Sequence, residues 1–244
     1  MQTKIINKRV GGVEIFELFG NFVGDFALQS NKALEEIIQK NETKAVLFNV
    51  REVTQIDDVG GKSLLRTVDF YRKSAVIEGD LAIAPLLERG TAKHVPVLKN
   101  ESQAAYFFAR EFAESKERSP LIERRRFLRL QAVMPLHLSF ETDDLQKMEP
   151  FAVITNLSEG GLFAEFIESN SERLVRGNIH PFDLSILNLK LEISEGEFLA
   201  LQGKMIHDAP AGGGLGIEFY NPRENEVRVI TDWLDRQHLR SVGR

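Results

Sequence analysis

Arg124, Arg125, Arg126 and Arg129 crowd one short stretch of this chain, and Asn156, Ser158, Gly160 and Gly161 follow further along. Guanidinium groups stay charged, fork their donors onto phosphate oxygens, and pair with guanine O6 and N7 through two parallel hydrogen bonds. Their planar faces also stack on bases. Asn156 and Ser158, two apart in an extended segment, project to one side and can reach a base edge or a ribose. Gly161 admits close backbone approach. Together these residues make an anion and purine site. Each piece alone has a plainer reading: a charge run near a linker is solvated, and Asn-Leu-Ser-Glu-Gly-Gly is a turn. Their joint order is what points to a ligand. R-x-x-x-R (Arg125, Arg129) comes directly before an all-β region, N-x-S-x-x-G (Asn156, Ser158, Gly161) follows that region's second strand, and Gly214–Phe219 lies near its end.

The elements that must position these residues divide the chain in two. Lys116 to Arg126 is densely charged and contains Pro120, which disfavours helix at Ser119. The expected division is therefore an N-terminal domain over 1–115, a charged linker over 116–129 carrying the arginines, and a C-terminal domain over 130–244. Upstream, Val13–Phe19 alternates as a strand, Ala27–Ile38 has helical spacing, Lys44–Val50 suits a buried strand, and Gly61–Tyr71 is again helical. A short strand at Leu81–Ala84 and a helix over Ser102–Glu114 complete an α/β half. Downstream, strands are expected at Val133–Phe140, Phe151–Leu157, Leu162–Phe166, Phe182–Leu189, Phe198–His207 and Gly214–Tyr220. Such even spacing implies a small barrel or sandwich. A last helix should carry Val227, Ile230, Trp233 and Leu234 on one face, with Asn221 and Pro222 as cap and first helical position.

Composition limits the partners. A hydrophobic share of 43% provides two real cores, and a net charge of −5 argues against non-specific coating of nucleic acid. The first residues lack the apolar run of a signal peptide, and no apolar stretch is long enough to span a bilayer. A cytoplasmic location without membrane partners is expected. The chain has no cysteine, which excludes thiol chemistry and disulfides.

Glu123–Arg129, Asn156–Gly161 and Gly214–Phe219 resemble the defining segments of the PilZ family, over about half the chain. That resemblance implies a small β-barrel with a C-terminal helix and, as ligand, cyclic di-GMP, a bacterial second messenger with two guanines and two phosphates. Carried over, Arg125 and Arg129 hold phosphate and guanine, while Asn156, Ser158 and Gly161, with Gly160 beside them, line the pocket of a second guanine. Arg124, directly before the pair, implies a stacked ligand dimer and so two cyclic di-GMP per domain.

The N-terminal half, through the strand at 44–50 and the loop Asp57-Asp58-Val59-Gly60 before a helix, resembles the STAS domain of anti-sigma-factor antagonists. In regulated members a Ser or Thr just before the loop glycine, at a helix N-terminus, accepts phosphate. Here that place holds Val59, which has no hydroxyl. Asp58 is then either a fixed stand-in for phosphate or, with Asp57, a helix cap. His94, His137, His180, His207 and His238 show neither metal-ligand nor nucleophile spacing. The expected protein is a non-enzymatic cyclic di-GMP receptor without cofactor or metal, whose STAS-like half is presented to a protein partner. The rival readings are a barrel that binds RNA, a scaffold that has kept the fold without the ligand, and an enzyme hidden in the carboxylates.

Overall fold

The structure is a computed structural model describing residues 3–41, 43–70, 73–79, 95–113, 130–142, 144–179, 185–208 and 214–242. The chain separates into two compact units, Met1–Glu114 and Ser115–Arg244.

In the first unit, strands β1 (Lys4–Val10), β2 (Val13–Phe22), β3 (Ala45–Ile56), β4 (Lys73–Ile77) and β5 (Val97–Leu98) form one sheet in that order. β1 and β2 pair antiparallel and the remaining neighbours pair parallel, so the sheet is mixed as expected. Helices α1 (Gly24–Lys40) and α2 (Asp58–Phe70) are the crossovers that parallel neighbours require. Their Leu34, Ile38, Leu64, Leu65 and Val68 share a core with Phe16, Phe22, Val46 and Phe48 of the sheet. β2 is buried at nearly every position, the pattern of a strand covered on both faces.

Alternation pointed to β2 and an apolar run to β3, but tertiary contacts set their lengths and defined β1, β4 and β5. β3 runs six residues past Val50 because its polar end still pairs with β2, Asn21 opposite Gln55 and Phe22 opposite Ile56. The expected single helix over Ser102–Glu114 is two, α3 (Glu101–Phe107) and α4 (Ala109–Phe112), interrupted at the fully buried Phe108. The strand expected at Leu81–Ala84 lies outside the described residues.

Asp57 sits where two helices begin. Its Oδ1 accepts from the Gly60 backbone N–H at 2.7 Å, capping α2, and its Oδ2 accepts from the Gly24 N–H at 3.0 Å, at the start of α1. The bond from Gly60 is the chief cause that holds this carboxyl below its ordinary value, with Gly24 adding to it against some desolvation.

The second unit is all β with helices added. β6 (Leu130–Glu141), β8 (Phe151–Ser158), β9 (Gly161–Glu165), β12 (Leu215–Phe219), β11 (Glu197–Asp208) and β10 (Leu187–Ser194) pair antiparallel in that order, and β10 returns to β6. That last ladder closes a six-stranded barrel and leaves none of the six with a free edge. β7 (Lys147–Met148) pairs with the end of β6. Met134, Leu136, Leu138, Ala152, Ile154, Leu189, Leu201 and Ile217 point inward.

The strand expected at Phe182–Leu189 is corrected to Leu187–Ser194, since ladder pairing with both β6 and β11 begins only there. Residues 182–184 of that expectation lie outside the described set. Helix α5 (Ser169–Asn178), unforeseen in a polar stretch, adds Val175 to the core.

Helix α6 (Glu224–Val242) packs Ile230, Trp233 and Leu234 into the barrel core, and Trp233 Nε1 donates to the Ile193 carbonyl at 3.2 Å. It starts later than the expected Asn221–Pro222 cap. Asn221 takes a left-handed φ of 45°, and the Glu226 carboxylate reaches back to the Arg223 N–H at 2.8 Å as one half of a capping box.

Two outcomes follow. Because the folded Asp57 carboxyl lies below its unfolded value, its contribution is fully present above about pH 4 and is lost as pH falls through the folded value. The wild-type advantage over Asp57→Asn in urea midpoints should therefore be present at pH 7 and shrink in acid; an advantage undiminished at pH 2 would contradict it. Trp233→Ala should cost about 3–5 kcal/mol in chemical denaturation, as large core truncations do. Trp233 is the only tryptophan, so its wild-type fluorescence reports the docking of α6 directly.

Candidate functional site

The N-x-S-x-x-G segment spans the end of β8, the turn at Glu159 and Gly160, and the start of β9. Along β8 the inward side chains are Ala152 and Ile154, then Leu157, a change from even to odd positions. The cause is a bulge. Ile154 stands opposite Ala164 and Asn156 opposite Phe163, so Thr155 is an extra residue with no partner on β9. One extra residue moves the alternation by one. Asn156 and Ser158 consequently point away from the barrel core, Asn156 partly exposed and Ser158 buried; on an unbroken strand Asn156 would follow Ala152 and Ile154 into the core. Thr155 is buried, and burial pushes the Glu165 carboxyl above its ordinary value, an effect that the Thr155 side chain partly offsets.

The outer surface at this corner has two rows. Gln131, Asn156 and Phe163 align across β6, β8 and β9, and Ser158, Gly161 and Glu218 align across β8, β9 and β12. Asn156 is partly exposed, and among the described residues no hydrogen bond holds its amide. The half-exposed Phe163 beside it was not singled out in sequence. The signal was available in the period-two pattern of β9, where inward Leu162 and Ala164 put Phe163 outside.

Ser158 and Gly161 have structural duties in the barrel itself. The Ser158 hydroxyl donates to the Gly161 carbonyl at 3.0 Å, so its one hydrogen is used within the turn and its oxygen remains an acceptor. The Gly160 carbonyl accepts from the Phe219 N–H at 3.0 Å. A Cβ on Gly161 would lie 2.3 Å from the Ile217 carbonyl oxygen. The close backbone approach expected of Gly161 is thus already made by β12. Arg124, Arg125, Arg126 and Arg129 lie outside the described residues.

In the first unit, the loop residues expected to act together do different things. Asp57 is the double cap described above, and the cap alternative accounts for its carboxylate. Asp58 is exposed in the first turn of α2, where the helix N-terminus favours negative charge. Val59 is exposed beside it. Gly60 has no room for a side chain, since a Cβ there would lie 2.0 Å from the Phe22 carbonyl oxygen. Among the described residues no cluster of three His, Asp or Glu can hold a metal, and no helix is long and apolar enough to cross a membrane. His137 sits edge-on to Phe151 and Phe198, at 5.3 and 5.9 Å between ring centroids, and burial lowers its pKa. His94 and His180 lie outside the described residues.

No protein-family profile matches the chain, and no curated protein matches it. Solved structures similar to it include YcgR from Escherichia coli in complex with c-di-GMP, at 15% identity over 49% of this chain and 48% of that one, with a TM-score of 0.36. The PilZ domain of YcgR with c-di-GMP is similar at 15% identity over 50% of this chain and 99% of the domain, with a TM-score of 0.35. An anti-sigma factor antagonist from Mycobacterium paratuberculosis is similar at 17% identity over 43% of this chain and 92% of that one, with a TM-score of 0.38. The chain spans about half the length of the YcgR it matches. PilZ domains and anti-sigma factor antagonists are therefore both among the solved structures this chain is similar to.

Proposed function

We propose that the barrel binds cyclic di-GMP and that the protein is a receptor for it. The observation that carries this reading is the outward placement of Asn156 and Ser158 by the Thr155 bulge, next to the entry of β6. Leu130 pairs with Leu157, the residue between Asn156 and Ser158, and Arg129 is one peptide bond before Leu130. The chain thus enters the barrel at this corner directly from the R-x-x-x-R segment. In this reading Arg125 and Arg129 grip phosphate and guanine as charge-assisted donors, the Asn156 amide reads a guanine edge, and the Ser158 oxygen accepts. Gly160 leaves the turn bare enough for a base to lie against it, while Gly161 brings β12 up beside it. Arg124 extends the stack to a second ligand.

The arginines that take the ligand belong to the charged linker at 116–129, so in this reading binding acts on the segment that joins the two halves of the sequence. The change alters how the STAS-like half is offered to a protein partner. Val59 removes the hydroxyl through which that half would otherwise receive a signal, which leaves the barrel as the input and makes catalysis unnecessary to the role.

Calorimetry on the full chain tests this. Wild type should take two cyclic di-GMP per chain, and Arg124→Ala one. Arg125→Ala or Arg129→Ala should weaken binding by about ten- to a hundredfold, the range of hydrogen bonds to charged groups. Wild-type affinity in both arginine variants would overturn the site. Asn156→Ala should lose affinity while its unfolding midpoint stays near wild type, because an outward side chain contributes little to stability. Gly161→Ala should instead lower stability by about 1–3 kcal/mol, as overpacking does, because β12 has to shift. Equal midpoints for these two variants would show that the corner is not packed as described.

A further inference from the structure

Helix α6 meets the turn at Glu159 through a polar contact. Thr231 Oγ1 lies 3.0 Å from the Val227 carbonyl oxygen within the helix and 3.4 Å from Glu159 Oε1 in the turn. One hydroxyl hydrogen serves one of these acceptors at a time. A carboxylate is the stronger acceptor because it is charged.

Glu159 is the only acid within Asn156–Gly161, and among the described residues no salt bridge offsets it. Glu218, the acid across the ladder from Gly161, is differently placed, since Lys204 stands opposite it in register. A ligand carrying two phosphates brings negative charge to this corner, and like charges within about 8–10 Å repel with little screening. The carboxylate in the turn therefore opposes the ligand unless something holds it aside.

We propose that Thr231 is a positioning residue for the ligand site, its hydroxyl holding the Glu159 carboxylate toward helix α6 and away from the bound anion. The inference rests on the cyclic di-GMP reading. It also links helix docking to ligand binding, since whatever strengthens one strengthens the other by the same factor.

The experiment is calorimetry of cyclic di-GMP with the full chain as wild type, Thr231→Val, Glu159→Gln and the double variant, with thermal melts to establish that each is folded. Thr231→Val should weaken binding about fivefold, the equivalent of one hydrogen bond. Glu159→Gln should bind at least as tightly as wild type. Once Glu159→Gln is present, Thr231→Val should have no further effect, because the charge it restrains is gone. A purely structural Thr231 would weaken binding equally in both backgrounds, and that result overturns the proposal. So does wild-type affinity in Thr231→Val, or weaker binding in Glu159→Gln, which would mean that the carboxylate contacts the ligand. Absence of binding by the wild-type chain would be a separate failure, of the ligand reading itself, and would remove this inference with it.

Discussion

Closure of the barrel through the β6–β10 ladder imposes a strict division of side chains, because each of its six strands has one face inside a small packed core and the other outside. On such a strand a polar residue at an inward position would carry an unpaired amide into the core, at a cost of about 1–3 kcal/mol. The Thr155 bulge resolves that conflict for Asn156 at one place on one strand. Everything attributed to the candidate site depends on it. The bulge turns Asn156 and Ser158 to the same outer surface, sets Phe163 beside Asn156, and leaves Leu157 to fill the core.

The same corner shows what most residues of the motif do for the fold. Ser158 closes the turn on Gly161, Gly160 bonds β12, and Gly161 lets β12 come close. These residues would be needed by the barrel even without a ligand. Asn156 has no such duty among the described residues, so under the proposed reading its side chain, more than the glycines, is the one left for a ligand. Glu159 joins the turn to helix α6, whose Trp233 and Ile230 complete the core.

The first unit is organised around a different economy of polar groups. One carboxylate, Asp57, meets the backbone donors at the starts of two helices, and both helices pack on the same face of the mixed sheet. Helix starts leave N–H groups without intrahelical partners, and a single charged acceptor placed between two starts satisfies a donor from each. Asp58, its neighbour in sequence, lies in the first turn of α2 and points to solvent.

Most elements were legible in sequence because burial writes its period into the chain. β2 was found by alternation, β3 by its apolar run, β6, β8, β9, β11 and β12 by short runs rich in β-branched and aromatic residues, and α1, α2 and α6 by helical spacing. β1, β4, β5, β7 and α5 were not, being short or polar and defined by the neighbours they pair or pack with. The residue types of the site were equally legible, since arginine, asparagine, serine and glycine at fixed spacing carry their chemistry with them. Which way those side chains face was not. A bulge is visible only when a second strand is laid beside the first, and Asp57 becomes a double cap only when Gly24 is brought to it across the fold. The amino-acid sequence by itself determined the chemistry available, the α/β and all-β character of the two halves, and the absence of a hydroxyl at Val59. Tertiary structure alone decided the outward turn of Asn156, the demand for glycine at 161, and the meeting of Glu159 with Thr231, because each depends on a partner strand or helix far away in the chain.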